Sequence, residues 1–358
     1  MTDADFDRTD RAIVNAFQGG FPVVEQPYEP AAAALRDHGV AITAEELCAR
    51  IRTLVEDDVF SRFGTLVDAS AIGGEASLVA MAVPEDRFEE VTETVNGYRE
   101  VAHNYERDHS LNMWFVLSVA DPERVDGVLA SIERETGLDS YNLPKMQEFE
   151  LKALFPVEGP VSEGDVDLSD LGPDVTTADR DVLRPRERDL VVELQDGFPL
   201  TLTPYADIAD AIGTPTDWVL RTVQRFLAEG RFRRVGVVPN HYALGYTENP
   251  MTVWDVPDQD VETVGRAVAS LPFVTHCYER PRHEGVWPYN LFAMVHGRSP
   301  EGASERVEQV RETVFARCGP VDNDRVDSTR ILKKTGIRLA ERAAANTEVS
   351  KDSSVVGE

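Results

Sequence analysis

A chain that carries one ordered set of motifs twice is constrained first by that duplication, because both copies must adopt one fold and pack together. Gly20-Phe21-Pro22 followed by Pro27-Tyr28 returns as Gly197-Phe198-Pro199 followed by Pro204-Tyr205. Phe60-Ser61-Arg62-Phe63-Gly64 returns as Phe232-Arg233-Arg234-Val235-Gly236, and Val83-Pro84 as Val256-Pro257. A five-residue signature follows in each copy: His103-Asn104-Tyr105-Glu106-Arg107, then His276-Cys277-Tyr278-Glu279-Arg280. Asn112-Met113-Trp114-Phe115 then matches Asn290-Leu291-Phe292-Ala293, with extra residues in the second copy between Pro281 and Pro288. The order is kept throughout, so the chain reads as a fused dimer of one ancestral unit. Such an internal pseudo-dimer fits a monomer and a homodimer equally.

Each unit divides into a helical part and a mixed part. Apolar residues at helical spacing (Ile13, Val14, Phe17) predict a helix over 7–17, stopped by Gly19-Gly20. A second is predicted over 30–38, ended by Gly39. Thr43 and Glu46 stand as N-cap and N3 of a capping box, which opens a third helix over 44–56. The second copy repeats this at 184–195, at 205–212, and from Thr214 or Thr216 to Glu229. Three short helices with a tight turn before the third read as a helix-turn-helix. The mixed part of the first copy predicts strands at 60–67, 77–83, 101–107 and 113–119, helices at 85–95 and 122–136, and a last strand at 148–155. The fold class is α+β: two tandem copies of a helix-turn-helix followed by a ferredoxin-like antiparallel sheet of split βαβ order. The expected domains are 1–59 and 60–157 in the first copy, 183–230 and 231–342 in the second. The Gly-, Pro-, Asp- and Ser-rich stretch 158–182 is expected to be a linker, and 343–358 a disordered polar tail.

With 358 residues there is room for two or more domains with real cores. The formal net charge is −28, the acid is spread along the chain, and Lys occurs only at positions 145, 152, 333, 334 and 351. A distributed, Lys-poor acidic surface resembles the proteins of halophilic archaea. Its field repels nucleic acid, so an anionic ligand must be held by local Arg and His. The acidic N-terminus has no apolar h-region and the chain no run of about 18 apolar residues, so no membrane association and a cytoplasmic location are expected. Cys48, Cys277 and Cys318 are too scattered for a disulfide framework or a zinc site, and Cys277 reads as a small packed thiol.

On a strand, a period of two puts the His, Tyr and Arg of each signature on one face. An imidazole, a phenol and a permanent cation together suit an anionic, metal-containing ligand. A buried polar network would use the same residues, and a single histidine is more often structural than a ligand. Two matched sets favour ligand chemistry. The second copy adds His241, within Val238-Pro239-Asn240-His241-Tyr242, where the first copy has Ala69, so the halves need not contribute equally. His38, His283 and His296 read as structural or surface residues, and Trp114, Phe115 and Phe292 as core.

A helix-turn-helix followed by a ferredoxin-like sheet resembles the layout of the Lrp/AsnC transcription regulators. A DNA-binding regulator of that kind, sensing a haem-like or other small ligand, is therefore one reading. The groove-facing start of the third helix argues against it: Ala44, Glu45, Glu46 and Cys48 in one copy, Pro215, Asp217 and Trp218 in the other. Only Arg50, Arg52, Arg221 and Arg225 follow, and no basic stripe joins them, so nucleic acid is not the expected partner.

The paired His-x-Tyr-x-Arg signatures, the Gly-Phe-Pro after each first helix and the stretch Gly236 to Gly245 (GVVPNHYALG) resemble the sirohaem decarboxylases, over 6–155 and 183–339. That family descends from the Lrp/AsnC fold and often exists as two related subunits, of which this chain resembles a natural fusion. The resemblance implies sirohaem as substrate, losing CO2 from its C12 and C18 acetate side chains. The product would be 12,18-didecarboxysirohaem, on the way to haem or haem d1. No cofactor beyond the iron tetrapyrrole itself is expected, since the macrocycle is its own electron sink. Arg107 and Arg280 would grip carboxylates, and His103, His276 or His241 would donate the proton from an ordinary pKa of about 6.5. His241 or His276 could instead ligate the sirohaem iron. Tyr105 and Tyr278 would hydrogen-bond a carboxylate or relay a proton, and Arg62, Arg234, Asn112 and Asn290 are further candidates for holding substrate. The second signature, with His241 nearby, is expected to be the working one. A tetrapyrrole-binding chaperone without turnover is a third reading.

Overall fold

In the computed structural model, which describes residues 6–162, 164–166, 182–195 and 197–334, both copies lay out their elements in the same order. The first runs α1 (Arg8–Phe17), α2 (Tyr28–Asp37), α3 (Ala44–Glu56), β1 (Phe60–Val67), β2 (Glu75–Met81), α4 (Phe88–Gly97), β3 (Val101–Arg107), β4 (Met113–Val119), α5 (Val125–Thr136), β5 (Ser140–Leu143) and β6 (Gln147–Leu151). The second runs α6 (Pro185–Leu194), α7 (Pro204–Ile212), α8 (Thr216–Ala228), β7 (Phe232–Pro239), β8 (Met251–Trp254), α9 (Val261–Ala269), β9 (Val274–Glu279), β10 (Leu291–Val295), α10 (Pro300–Cys318), β11 (Asn323–Val326) and β12 (Ser328–Lys334).

The helices begin where local chemistry satisfies their first amides. Asp7 accepts from the Thr9 and Asp10 amides at 2.8 and 2.9 Å to open α1. Thr43 accepts from the Glu46 amide at 3.2 Å, and Glu46 reaches back to the Thr43 amide at 2.9 Å, so the capping box opens α3 as its residues predict. In the second copy Pro204 takes the first turn of α7, and Gly213, at φ 65°, ends it in the left-handed conformation.

Each sheet is ferredoxin-like in the four strands of its own copy, and each borrows a fifth at one edge. The order is β12-β3-β4-β2-β5 in one sheet and β11-β8-β10-β9-β6 in the other. β6 leaves the first copy to pair with β9, and β12 leaves the second to pair with β3, a reciprocal exchange of edge strands. Two expectations change here. The strand at 60–67 does not join a ferredoxin-like sheet: β1 pairs antiparallel with β7, Gly64 opposite Gly236, in a separate two-stranded ribbon. The last strand of the first copy belongs to its neighbour's sheet, and β5, which the sequence pattern did not reveal, closes its own. Both follow from the duplication, because each edge left open by one copy is covered by the other.

Three kinds of core result. Both helix-turn-helix units and the ribbon share one, in which Phe63 meets Phe21 and Phe198 edge-on at 4.9 and 5.6 Å. Each sheet packs its own helices on one face. On their other faces the two sheets meet through Trp114, Trp287, Phe292 and Met251, with Trp114 and Trp287 5.0 Å apart. Of the stretch expected to be a linker, Val161 is buried and Asn15 donates to the Val157 and Val161 carbonyls at 2.7 Å. Most of the rest of it, and the tail at 343–358, lie outside the described residues.

Candidate active site

The pleat of β3 and β9 decides where the signatures point. Asn104 and Cys277 face the helices: Asn104 Nδ2 donates to Asn96 Oδ1 at 3.0 Å, and Cys277 Sγ to the Gly265 carbonyl at 3.6 Å. His, Tyr and Arg therefore face the other copy. Arg107 Nη1 crosses to the Val326 carbonyl on β11 at 2.8 Å, and Arg280 Nη1 crosses to the Leu143 carbonyl on β5. The guanidiniums lie 5.6 Å from the Tyr105 ring and 5.0 Å from the Tyr278 ring. Arg107 is 8 % and Arg280 9 % exposed, and the Nε of each is buried with no hydrogen-bond partner. Burial pulls both down to about 10, so both remain cations at neutral pH.

The exchanged strands build the rims, and they differ. Lys334 on β12 stands opposite His103, and Ile331 opposite Tyr105. On the other side Leu151 stands opposite His276 and Glu148 opposite Tyr278. Glu148 takes Lys145 at 2.7 Å and Arg233 at 2.5 Å, and Arg233 also reaches Asp68 at 2.5 Å. Burial raises Glu148, but the hydrogen bonds from Arg233 and Lys145 outweigh it and hold the carboxyl below its usual range.

One loop after β7 serves both signatures. His241 stacks on Phe155 at 5.2 Å and lies 5.3 Å from His296, within electrostatic reach of His276 and Lys334. Its neighbour Tyr242 acts on Tyr105 and Arg107 and has Lys334 Nζ 6.0 Å from its ring. Burial drives His103, His241 and His276 down to about 4. Lys334 and Arg62 add to this at His103, Lys334 and His276 at His241, and Arg280, Arg233 and Arg234 at His276, where Glu148 opposes. All three imidazoles are thus neutral lone-pair donors in the free protein, which differs from the expectation of resident acids titrating at their ordinary value. The phenols are the groups that hold protons: burial raises both Tyr105 and Tyr278.

Comparison with known proteins bears on the fold and the family. Residues 71–150 and 243–333 match the family described as AsnC-like ligand binding domain, and 10–60 and 187–233 match the siroheme decarboxylase NirDL-like HTH domain. The siroheme decarboxylase NirDL subunit of Paracoccus denitrificans is 33 % identical over 339 residues, 94 % of this chain and 99 % of that one. The chain belongs to the sirohaem decarboxylase family. A NirH subunit from Stutzerimonas stutzeri is 48 % identical over 153 residues, 43 % of this chain and 89 % of that subunit, as a fusion of two related units requires. The crystal structure of the siroheme decarboxylase NirDL with an iron-uroporphyrin III analogue superposes with a TM-score of 0.66 at 26 % identity, covering 93 % of this chain and 94 % of that one.

Within this member of the family, the remaining candidates divide. Arg62 and Arg234 lie within electrostatic reach of His103 and His276, at matching places in the two halves, although Arg62 also holds the Gln195 carbonyl and Arg234 the Lys152 carbonyl. Asn112 and Asn290 are turned elsewhere. Each clamps a backbone, Asn112 both the N–H and C=O of Val83, Asn290 those of Val256, at 2.8 to 3.0 Å. With both ends of the amide used, neither faces a ligand, and their task is to hold the Val-Pro turns. His38 bonds its own helix, at the Ala34 carbonyl, and His283 bonds the Asn142 carbonyl. Lys334, Lys145, Glu148 and Arg233 were not foreseen. The signal was available: four of the five lysines of the chain lie on or beside β6 and β12.

Proposed function

We propose that this chain removes CO2 from the C12 and C18 acetates of sirohaem. The observation that carries the reading is the pair of arginines, nine-tenths buried and without an ion-pair partner among the described residues, in a chain with 64 acidic side chains. A buried guanidinium left with a free donor is a costly arrangement unless an anion completes it. Sirohaem, with up to eight carboxylates, supplies that anion.

The chemistry follows from charge and protonation. Each event breaks the bond between the acetate methylene and its carboxylate, the electron pair passes into the macrocycle, CO2 leaves, and one proton must reach the methylene carbon. Arg107 and Arg280 fix carboxylates by their planar forks, while the packed sheets behind them exclude water. Tyr105 and Tyr278 each lie beside one guanidinium and carry a proton at neutral pH, so they are placed to donate or relay it. Neutral His276 or His241 offers a nitrogen lone pair suited to the substrate's iron. Bound carboxylates would also raise the histidines, so an imidazole can gain a proton as substrate arrives.

Regulation of DNA is less well supported. The cations behind the third helices are engaged: Arg50 with Asp7 and Asp10, Arg52 with the Leu200 carbonyl, Arg221 with Asp217, Arg225 with Glu187 and Glu229. Anaerobic incubation of the protein with sirohaem, followed by mass spectrometry, tests the proposal. Loss of two CO2 units is expected. Unchanged sirohaem together with tight, sequence-specific DNA retention would replace the enzyme by a regulator, and tight binding without turnover by a carrier.

A further inference from the structure

His276 is tied to a chain of polar groups that its counterpart lacks. His276 Nδ1 lies 2.8 Å from Thr275 Oγ1, which lies 2.9 Å from His296 Nε2, and His296 Nδ1 lies 2.5 Å from Asn249 Oδ1. Asn249 Nδ2 donates to the Thr247 carbonyl at 3.3 Å, which turns the amide oxygen towards His296. Thr275 and His296 are each 5 % exposed, and Phe155 and His241 wall His296 at 4.9 and 5.3 Å.

Proton counting along this chain has one solution for neutral imidazoles. An amide oxygen only accepts, so His296 Nδ1 carries the proton and its Nε2 a lone pair. That lone pair takes the single hydroxyl proton of Thr275. The hydroxyl oxygen then accepts from His276 Nδ1–H, and His276 Nε2 is left as a bare lone pair. His276 Nε2 has no hydrogen-bond partner among the described residues.

The first copy has none of this. Ala76, Ala102 and Ser118 stand at the positions of Asn249, Thr275 and His296, and His103 Nδ1 is buried without a partner. We propose that Thr275, His296 and Asn249 are positioning residues that set His276 in one tautomer, with Nε2 presented to the substrate, and so make the second signature the one that engages the iron or the reacting carboxylate. This rests on the decarboxylase reading for its substrate, while the tautomer stands on the geometry alone.

Two readouts test it. Long-range 15N–1H NMR of the substrate-free protein at pH 7, with His276 assigned through the His276→Gln variant, should show the proton on Nδ1. A proton on Nε2 would overturn the proposal without any further variant. Thr275→Val keeps the shape and deletes the hydroxyl, and should lower kcat by about 10- to 100-fold, as loss of a partner behind a functional histidine does. His296→Phe should do the same. Thr275→Ser and His296→Gln, whose amide can accept from Thr275 and donate to Asn249, should recover most of the loss. Ser118→Ala in the first copy should move neither readout. Wild-type turnover and tautomer in correctly folded Thr275→Val would refute the relay. Absence of turnover in the unaltered protein would refute the functional reading instead, with the NMR still deciding the tautomer.

Discussion

At the residue scale the two signatures are alike in letters and unlike in surroundings. Arg107 and Arg280 are both desolvated, but only His276 has a tethered ring, and only His103 has a lysine across the strand pair. Arg280→Ala should therefore cost more kcat/KM than Arg107→Ala. A hydrogen bond to a charged group contributes about 1.5–3 kcal/mol, which corresponds to roughly 10- to 150-fold in the rate assay with sirohaem. Arg280→Lys keeps the charge and loses the fork, so it should restore only part. Equal losses in the two alanine variants would instead assign the work to both halves. The imidazoles add a pH dependence of stability. His103, His241 and His276 titrate at about 4 when folded and at about 6.5 when unfolded, so between those values the unfolded chain binds more protons. Their contribution is full above about pH 6.5 and is lost as pH falls towards 4. Urea midpoints measured from pH 7.5 to 4.5 should fall, and His103→Gln or His276→Gln should flatten the slope. A midpoint that rises on acidification, relative to those variants, would mean the rings are charged in the folded state. The signature residues were legible because strand alternation places them regardless of context. The loss of Asn112 and Asn290 from the site was not legible, since an asparagine amide that clamps a turn and one that faces a ligand look the same in one dimension.

At the element scale, what the sequence could reveal tracks how local each decision is. The start of α3 is set within four residues by Thr43 and Glu46 and was readable. The destinations of β6 and β12 were not, because both are edge strands with polar residues on both faces, so alternation does not name a partner. β12 is nonetheless firmly held: Lys333 Nζ donates to the Asn96 and Tyr98 carbonyls at 2.8 Å, and Arg330 pairs with Glu89 and Glu106. A chain ended after Asp327 should lose amide hydrogen-exchange protection across 101–107 while keeping it across 274–279, whose partner β6 is untouched. Unchanged protection at 101–107 would show that β12 does not pair there. The ribbon makes a second demand. A Cβ on Gly236 would stand 2.4 Å from the Phe17 carbonyl oxygen, a backbone atom that cannot turn aside. Gly236→Ala should push α1 off β7 and lower the melting temperature, most visibly by exchange in 8–17.

At the scale of the whole molecule, the excess of acid sets terms for both folding and ligand capture. With a formal charge of −28, compaction brings like charges together, and the surface ion pairs recover little of that, at about 0–1 kcal/mol each. Salt acts on the two in opposite senses, screening the general repulsion and weakening the individual pairs. The repulsion involves far more charges, so the melting temperature should rise from 0.1 to 2 M KCl; a fall would mean that pairs such as Arg282 with Asp255 and Asp258 dominate. Ligand capture obeys the same balance. An anionic tetrapyrrole approaching in 0.1 M salt feels charges over about 10 Å, and so meets the repulsive field of the whole body. At 1 M the range shrinks to about 3 Å, and the groups at the site dominate, among them Arg107, Arg280, Lys334, Arg62, Arg234, and the Lys145 and Arg233 that Glu148 partly neutralises. Association measured by stopped flow with an iron porphyrin carboxylate should therefore accelerate between 0.1 and 1 M KCl. A binding surface that attracts its anion through long-range positive potential would slow over the same range. Slowing would place the ligand on a basic face, whereas acceleration places it on buried cations inside an acidic shell.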